Sequence, residues 1–228
     1  MKFNEVEIGG LECIEVAGDP TQGTIVLFHG YGANALDLAP LARVFMGPRW
    51  LFPNGPVEIP IAADYTGRGW FNLDLDAIRG AVDKKQYDEI AAAFSPELEK
   101  AHTVVENFVE ALHVPHDKLV LGGFSQGAVL AIESALRFYD QVKALLIFSG
   151  ILVHEESWKE GMAKHKGLPF FQSHGRNDRM LPFALGEKLE KVLKEGGLDG
   201  RLHPFTGGHE IPFSLLLDLQ PFLGRIFK

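Results

Sequence analysis

A single cysteine, Cys13, stands in a chain of 228 residues, so no internal disulfide can form. That usage suits a reducing compartment, and Cys13 itself reads as a small buried strand residue. Basic charge is scarce as well. Lys and Arg number 22 against 30 Asp and Glu, a net charge of -8, and no basic run is present, which excludes nucleic acid as a partner. The longest apolar stretch, Ala144 to Val153, is interrupted by Ser149 and Gly150 and is too short to cross a bilayer, so no integral membrane association is expected. Residues 1–10 carry Glu5 and Glu7 and lack the apolar core of a signal peptide, which makes a soluble, cytoplasmic protein the expectation. Internal repeats, low-complexity tracts and long linkers are also missing. With 46% hydrophobic residues the chain can bury a substantial core, and residues 1–228 are expected to form one α/β domain.

What is present is a regular alternation of strand and helix patterns. The segments FNEVEI and LECIEV alternate in polarity around Gly9-Gly10 and predict a β-hairpin. TIVLF (Thr24 to Phe28) is a continuous apolar run of the kind found in strands covered on both faces, and it leads into His29-Gly30-Tyr31-Gly32. A helix is expected around Ala35 to Phe45, then a short strand WLF, then a Pro- and Gly-rich long loop from Pro53 to Arg68. A helix is expected from Ser95 as N-cap and Pro96 at its first position, with Leu98, Ala101, Val104, Val105, Phe108, Val109 and Leu112 on one face. The strands KLVLGGF, KALLIFS, PFFQSH and RLHPF follow, with helices after Ser125, Pro182 and Pro212. Such alternation implies a mainly parallel central sheet with helices on both faces.

Gly123-Phe124-Ser125-Gln126-Gly127 fits Gly-x-Ser-x-Gly where a strand pattern turns into a helix pattern. There the serine occupies a strained backbone position, and flanking residues without a Cβ let strand and helix approach while the hydroxyl points outward. A serine that merely caps a helix needs no such glycines. A hydroxyl is a poor nucleophile near neutral pH and requires a base held by a third group. Nine histidines compete for that role. His209, in FTGGHEIP, follows a strand in a glycine-flanked loop at the sheet edge where active sites of open α/β sheets gather. His203 lies inside the strand and belongs to a sheet face, and His174 ends another strand. His113 and His116 flank a proline at a helix end, where a metal site is the weaker reading. The acid is Asp178 in SHGRNDRMLP, with a turn or helix-cap role as its structural alternative. The order Ser125, Asp178, His209 is that of α/β-hydrolases.

The motifs LFHGYGAN, FPNGP, GWF, LGGFSQGAVLAIESAL, IFSGIL, HGRNDRMLP and GGHEIP, in that order, resemble the carboxylesterase and lysophospholipase family of α/β-hydrolases that includes acyl-protein thioesterases. The resemblance implies an α/β-hydrolase fold with Ser125 as nucleophile, Asp178 orienting the base and His209 as base. It assigns the oxyanion hole to the backbone N–H groups of Tyr31 and Gln126, which a glycine-rich turn and a helix start also favour. It points to Trp70, Phe71, Ile151, Leu152 and Leu181 as walls of an acyl pocket, with Trp70 either bordering substrate or simply buried. It implies no metal and no organic cofactor. The expected substrates are carboxylic esters, thioesters or lysophospholipids with short-to-medium acyl chains, acylated proteins among them. Where the family reads Trp-Phe-Asp this chain has Asn72, and the segment after it departs from the pattern. The rival readings are a dienelactone-type hydrolase or peptidase, the former usually carrying cysteine at the elbow, and a non-catalytic protein that uses the fold to bind a ligand. The sequence leaves the oligomeric state open, a homodimer included.

Overall fold

The computed structural model describes residues 2–19 and 21–228, and residues 95 and 96 by their backbone alone. Strands β1 (Asn4–Ile8) and β2 (Leu11–Val16) form the expected hairpin. Its two turn residues, Gly9 and Gly10, hold φ of 56° and 79°, which is why glycine occupies both. Strand β3 (Thr24–Phe28) is buried throughout. After it come α1 (Ala35–Leu38), β4 (Arg49–Pro53), β5 (Val57–Ala62), β6 (Tyr65–Gly69), α2 (Leu75–Asp83) and α3 (Tyr87–Leu112). The second half repeats one motif: β7 (Leu119–Phe124), α4 (Gln126–Arg137), β8 (Ala144–Phe148), α5 (Glu155–Lys164), β9 (Pro169–Gly175), α6 (Phe183–Glu195), β10 (Asp199–Phe205) and α7 (Leu216–Ile226).

Eight strands make one sheet in the order β1-β2-β4-β3-β7-β8-β9-β10, antiparallel at β1-β2 and β2-β4 and parallel from β4 onward. Alternate residues along each strand face opposite sides, so Val26 and Phe28 enter a core with α2 to α6 while Ile25 and Leu27 enter a second core with α1 and α7. The chain leaves β3 for β4 on one side and later returns to β7 on the other. The loops after β3 and β7 therefore diverge, and a crevice opens at their carboxyl ends.

Three expectations are corrected. Residues 53–68 are no open loop: β5 and β6 pair antiparallel as a separate two-stranded hairpin, tied back by a bridge between Ala33 and Arg68. Val57 and Ile59 begin its period of two, which is broken by the irregular register between Pro60 and Ala62 and obscured in the sequence by Pro60 and the neighbouring glycines. The long helix begins at Tyr87, so residues 95 and 96 fall inside it and do not start it; their side chains lie outside the described residues. The helix expected over 35–45 is a single α-turn continued by a 3₁₀ segment, Ala39–Arg43, with Pro40 in its first turn, where a missing N–H forfeits no helical bond.

Candidate active site

Ser125 sits between β7 and α4 at φ 54° and ψ -115°, a conformation that costs a non-glycine residue about 1–3 kcal/mol. Neighbouring bonds hold it there: its N–H donates to Phe148 O at 2.8 Å, and its carbonyl accepts from Ala128 and Val129 at 3.0 and 3.2 Å. The flanking glycines are obligatory for packing. A Cβ on Gly127 would stand 2.0 Å from Phe28 O, and one on Gly123 would stand 2.4 Å from the Gly127 carbonyl.

Gln126 is fully buried, and its side chain pins the loop before α2 to the elbow. Its Oε1 accepts from Trp70 N–H at 3.0 Å and its Nε2 donates to Phe71 O at 2.8 Å. Trp70 in turn donates from Nε1 to His29 O at 2.9 Å. The His29 ring takes Gly55 N–H on Nε2 at 2.9 Å and lies 2.7 Å from Gly30 O through Nδ1, so Nδ1 carries the proton of a neutral imidazole. Burial pushes its pKa down to about 4, in agreement with that state. These bonds clamp the turn after β3. Neither Tyr31 N–H nor Gln126 N–H has an acceptor among the described residues.

Asp178 follows β9 in a polar turn, its side chain wholly buried. Oδ1 accepts from the N–H groups of Met180 and Leu181, each at 2.8 Å, and Oδ2 lies 2.7 Å from His209 Nδ1. Burial alone would raise the Asp178 pKa, but the hydrogen bond and charge of His209 and the Leu181 amide together outweigh it, and the carboxyl is held below the usual range. His209 comes from the loop after β10 and packs on the Phe124 ring, centroids 4.7 Å apart. His174 is also buried: its Nε2 lies 2.7 Å from Leu181 O and 3.4 Å from Asp178 Oδ2, the same carboxylate oxygen that meets His209.

Ser125 and His209 line one cavity of about 130 Å³. Its apolar walls are Leu73, Leu75, Ile78, Phe94, Met180 and Leu181. Of the five wall residues named from sequence, Leu181 alone is there. Trp70 packs edge-on against Phe28 with centroids 4.9 Å apart, Phe71 packs against Phe94, and Ile151 is fully buried in the core. Leu152 borders a separate cavity with Asp88 and Lys188. Of the walls overlooked, Leu73, Leu75, Ile78 and Phe94 belong to the segment that departs from the family pattern, and Met180 lies within HGRNDRMLP. The sequence signals the helix that carries two of them, though not that it faces the cavity: Asp74 caps α2 by accepting from Ala77 N–H at 2.9 Å, and Leu75 and Ile78 follow at helical spacing. Asn72 is exposed.

The other histidines lie elsewhere. His203 stacks on Phe171 at 4.2 Å with Nδ1 3.3 Å from Asp218 Oδ2, in the α7 layer. His113 ends α3 in a left-handed conformation, and His116 Nδ1 lies 3.0 Å from Asp140 O. Among the described residues no group of three or more His, Cys, Asp or Glu is placed to hold a metal, and no helix is long and apolar enough to cross a membrane.

A serine on a strained strand-to-helix turn, sharing a cavity with a histidine whose far nitrogen meets a buried aspartate, on a mainly parallel sheet, is the arrangement of an α/β serine hydrolase. The chain belongs to the Phospholipase/Carboxylesterase family, whose model matches residues 10–226. Curated relatives include the acyl-protein thioesterase 1 of Neurospora crassa, 26% identical over 88% of this chain and 85% of that protein. The acyl-protein thioesterase 1 of Eremothecium gossypii is 28% identical over 92% of this chain and 90% of its own length. Among solved structures, that of esterase PE8 superposes with a TM-score of 0.79 at 28% identity, covering 95% of this chain and 99% of the other.

Proposed function

We propose that the protein is a carboxylic ester and thioester hydrolase working through an acyl-enzyme on Ser125. The observation that carries this reading is the shared cavity of Ser125 and His209, with Asp178 bonded to the opposite imidazole nitrogen. Ser125 Oγ attacks the acyl carbon while His209 Nε2 takes its proton; Asp178 keeps Nδ1 protonated and stabilises the imidazolium; the N–H groups of Tyr31 and Gln126 hold the oxyanion. His209 then protonates the leaving alcohol or thiol, and a water deprotonated by the same nitrogen releases the acid and restores the serine. The apolar walls beside Ser125 favour the acyl chain of the substrate, and the names of the relatives support thioesters on proteins as well as oxygen esters. Residues 1–228 act in this reading as one domain in the cytoplasm, and a homodimer is checked by sedimentation of the purified chain.

The test is labelling by a fluorophosphonate probe in the wild type and in Ser125→Ala, with turnover of a p-nitrophenyl ester series and an S-acylated peptide. Labelling and turnover lost together in the variant support the reading. Turnover that survives Ser125→Ala overturns it.

A further inference from the structure

A second cavity, of about 460 Å³, adjoins the apolar one, and Gly30, Tyr31, Ala33, Phe124 and His209 border both. A substrate carbonyl at Ser125 that sends its acyl chain among the apolar walls must direct its other substituent past His209, because His209 delivers the proton to the departing atom. That path enters the second cavity. Its chemistry differs from the first: Asp37 and Glu210, both exposed, supply two carboxylates, Tyr31, Tyr65 and Phe124 supply aromatic rings, and among the described residues no Lys or Arg lines it. Both carboxylates are held by backbone N–H groups, Asp37 by Asn34 at 2.8 Å and Glu210 by Gly208 at 3.2 Å. Neither has a cationic partner among the described residues. Arg68, on the neighbouring strand, is engaged by Glu12 and Glu58 instead. Fixed carboxylates among aromatic rings are the environment that recognises an ammonium group.

We infer that this cavity is a leaving-group site selective for alcohols or thiols that carry a positive charge, an inference that rests on the hydrolase reading above. Selectivity arises at the leaving group, while the acyl end is chosen by size and apolarity. Asp37 and Glu210 act through the field they place on the substrate and take no part in proton transfer.

The test compares choline butyrate with 3,3-dimethylbutyl butyrate, which has the same shape without the charge. The wild type is expected to favour the choline ester by roughly fivefold in kcat/KM, as two solvent-exposed carboxylates acting together allow. The ratio should shrink as salt is raised from about 20 mM to about 500 mM, since exposed charges are screened and shape is not. Asp37→Asn and Glu210→Gln, which keep the oxygen that each backbone N–H needs, should each lower the ratio, and together bring it to about one. A wild-type ratio at or below one, or a ratio that persists in the double variant, overturns the cation site while Ser125-dependent cleavage of the neutral ester leaves the hydrolase reading standing. Cleavage of neither ester removes both.

Discussion

Asp178 meets His209 through one carboxylate oxygen, Oδ2 to Nδ1 at 2.7 Å, while its other oxygen is committed to the N–H groups of Met180 and Leu181. The two donors to Oδ1 fix which way an amide would sit in Asp178→Asn. Its oxygen must face Met180 and Leu181, so its NH₂ faces His209 and demands an unprotonated Nδ1. The proton then moves to Nε2, where a base for Ser125 cannot carry it. Asp178→Asn is therefore expected to lose about 10⁴ in kcat with its fold intact, the loss known for the wrong tautomer in such a triad. Ser125→Ala and His209→Ala should each remove nearly all turnover, and their double variant should be no slower than either. Initial rates on p-nitrophenyl butyrate measure all four, and a double variant far slower than the singles contradicts a shared mechanism.

Gln126 holds two backbone groups of the Trp70-Phe71 loop, and all three residues are buried. In Gln126→Leu both are left buried and unpaired, at about 1–3 kcal/mol each. The expected result is a lower urea midpoint and a lower kcat, since the backbone amide proposed for the oxyanion moves with its side chain's anchor. A variant with unchanged midpoint means that the loop finds other partners.

Acyl length is set, on the proposed reading, by the walls beside Ser125. Ile78→Ala should move the preferred chain upward, because each added methylene placed against apolar walls contributes up to about 0.8 kcal/mol. Leu73→Trp should move it downward. Leu152→Asp, at a separate cavity, should lower rates for all chain lengths alike if it lowers them at all. A p-nitrophenyl ester series from acetate to decanoate reads these shifts, and an unmoved optimum in both wall variants sinks the assignment.

His29 gives a pH dependence of stability. Its folded pKa of about 4 lies below the usual 6.5, so the unfolded chain binds the extra proton between those values, and stability is lost as pH falls through that window. From pH 7 to pH 5 the loss attributable to His29 is about 2 kcal/mol. Urea unfolding of the wild type and of His29→Gln at both pH values isolates it: the variant should be weaker at pH 7 and should lack this part of the slope. Equal slopes contradict a buried neutral His29.

The parts of this architecture legible in the sequence were those written locally. The Gly9-Gly10 turn, the apolar runs of β3 and β7 and the glycines around Ser125 each state a backbone need within a few residues. Asp178 and His209 stood out because each follows a strand in a turn on the same sheet edge. The cavity walls were not legible in that way. Whether Trp70 borders substrate or faces inward depends on its bond to His29 O, 41 residues away in sequence. Ile78 and Phe94 look like any apolar residues at helical spacing, and Leu73 like any residue ahead of a helix cap, until α2 and α3 are folded against the elbow. The charged stretch after Asp83 likewise hid how early α3 begins.

Leu181 places one constraint on redesign. Its N–H binds Asp178, its carbonyl binds His174, and its side chain lines the cavity beside Ser125. Enlarging the cavity at this position disturbs the carboxylate proposed to orient the base, so selection for bulkier acyl groups will be steered towards α2, α3 and the residue ahead of α2. Libraries built on Leu73, Ile78 and Phe94 can alter substrate range while the backbone that holds the proposed triad is left alone.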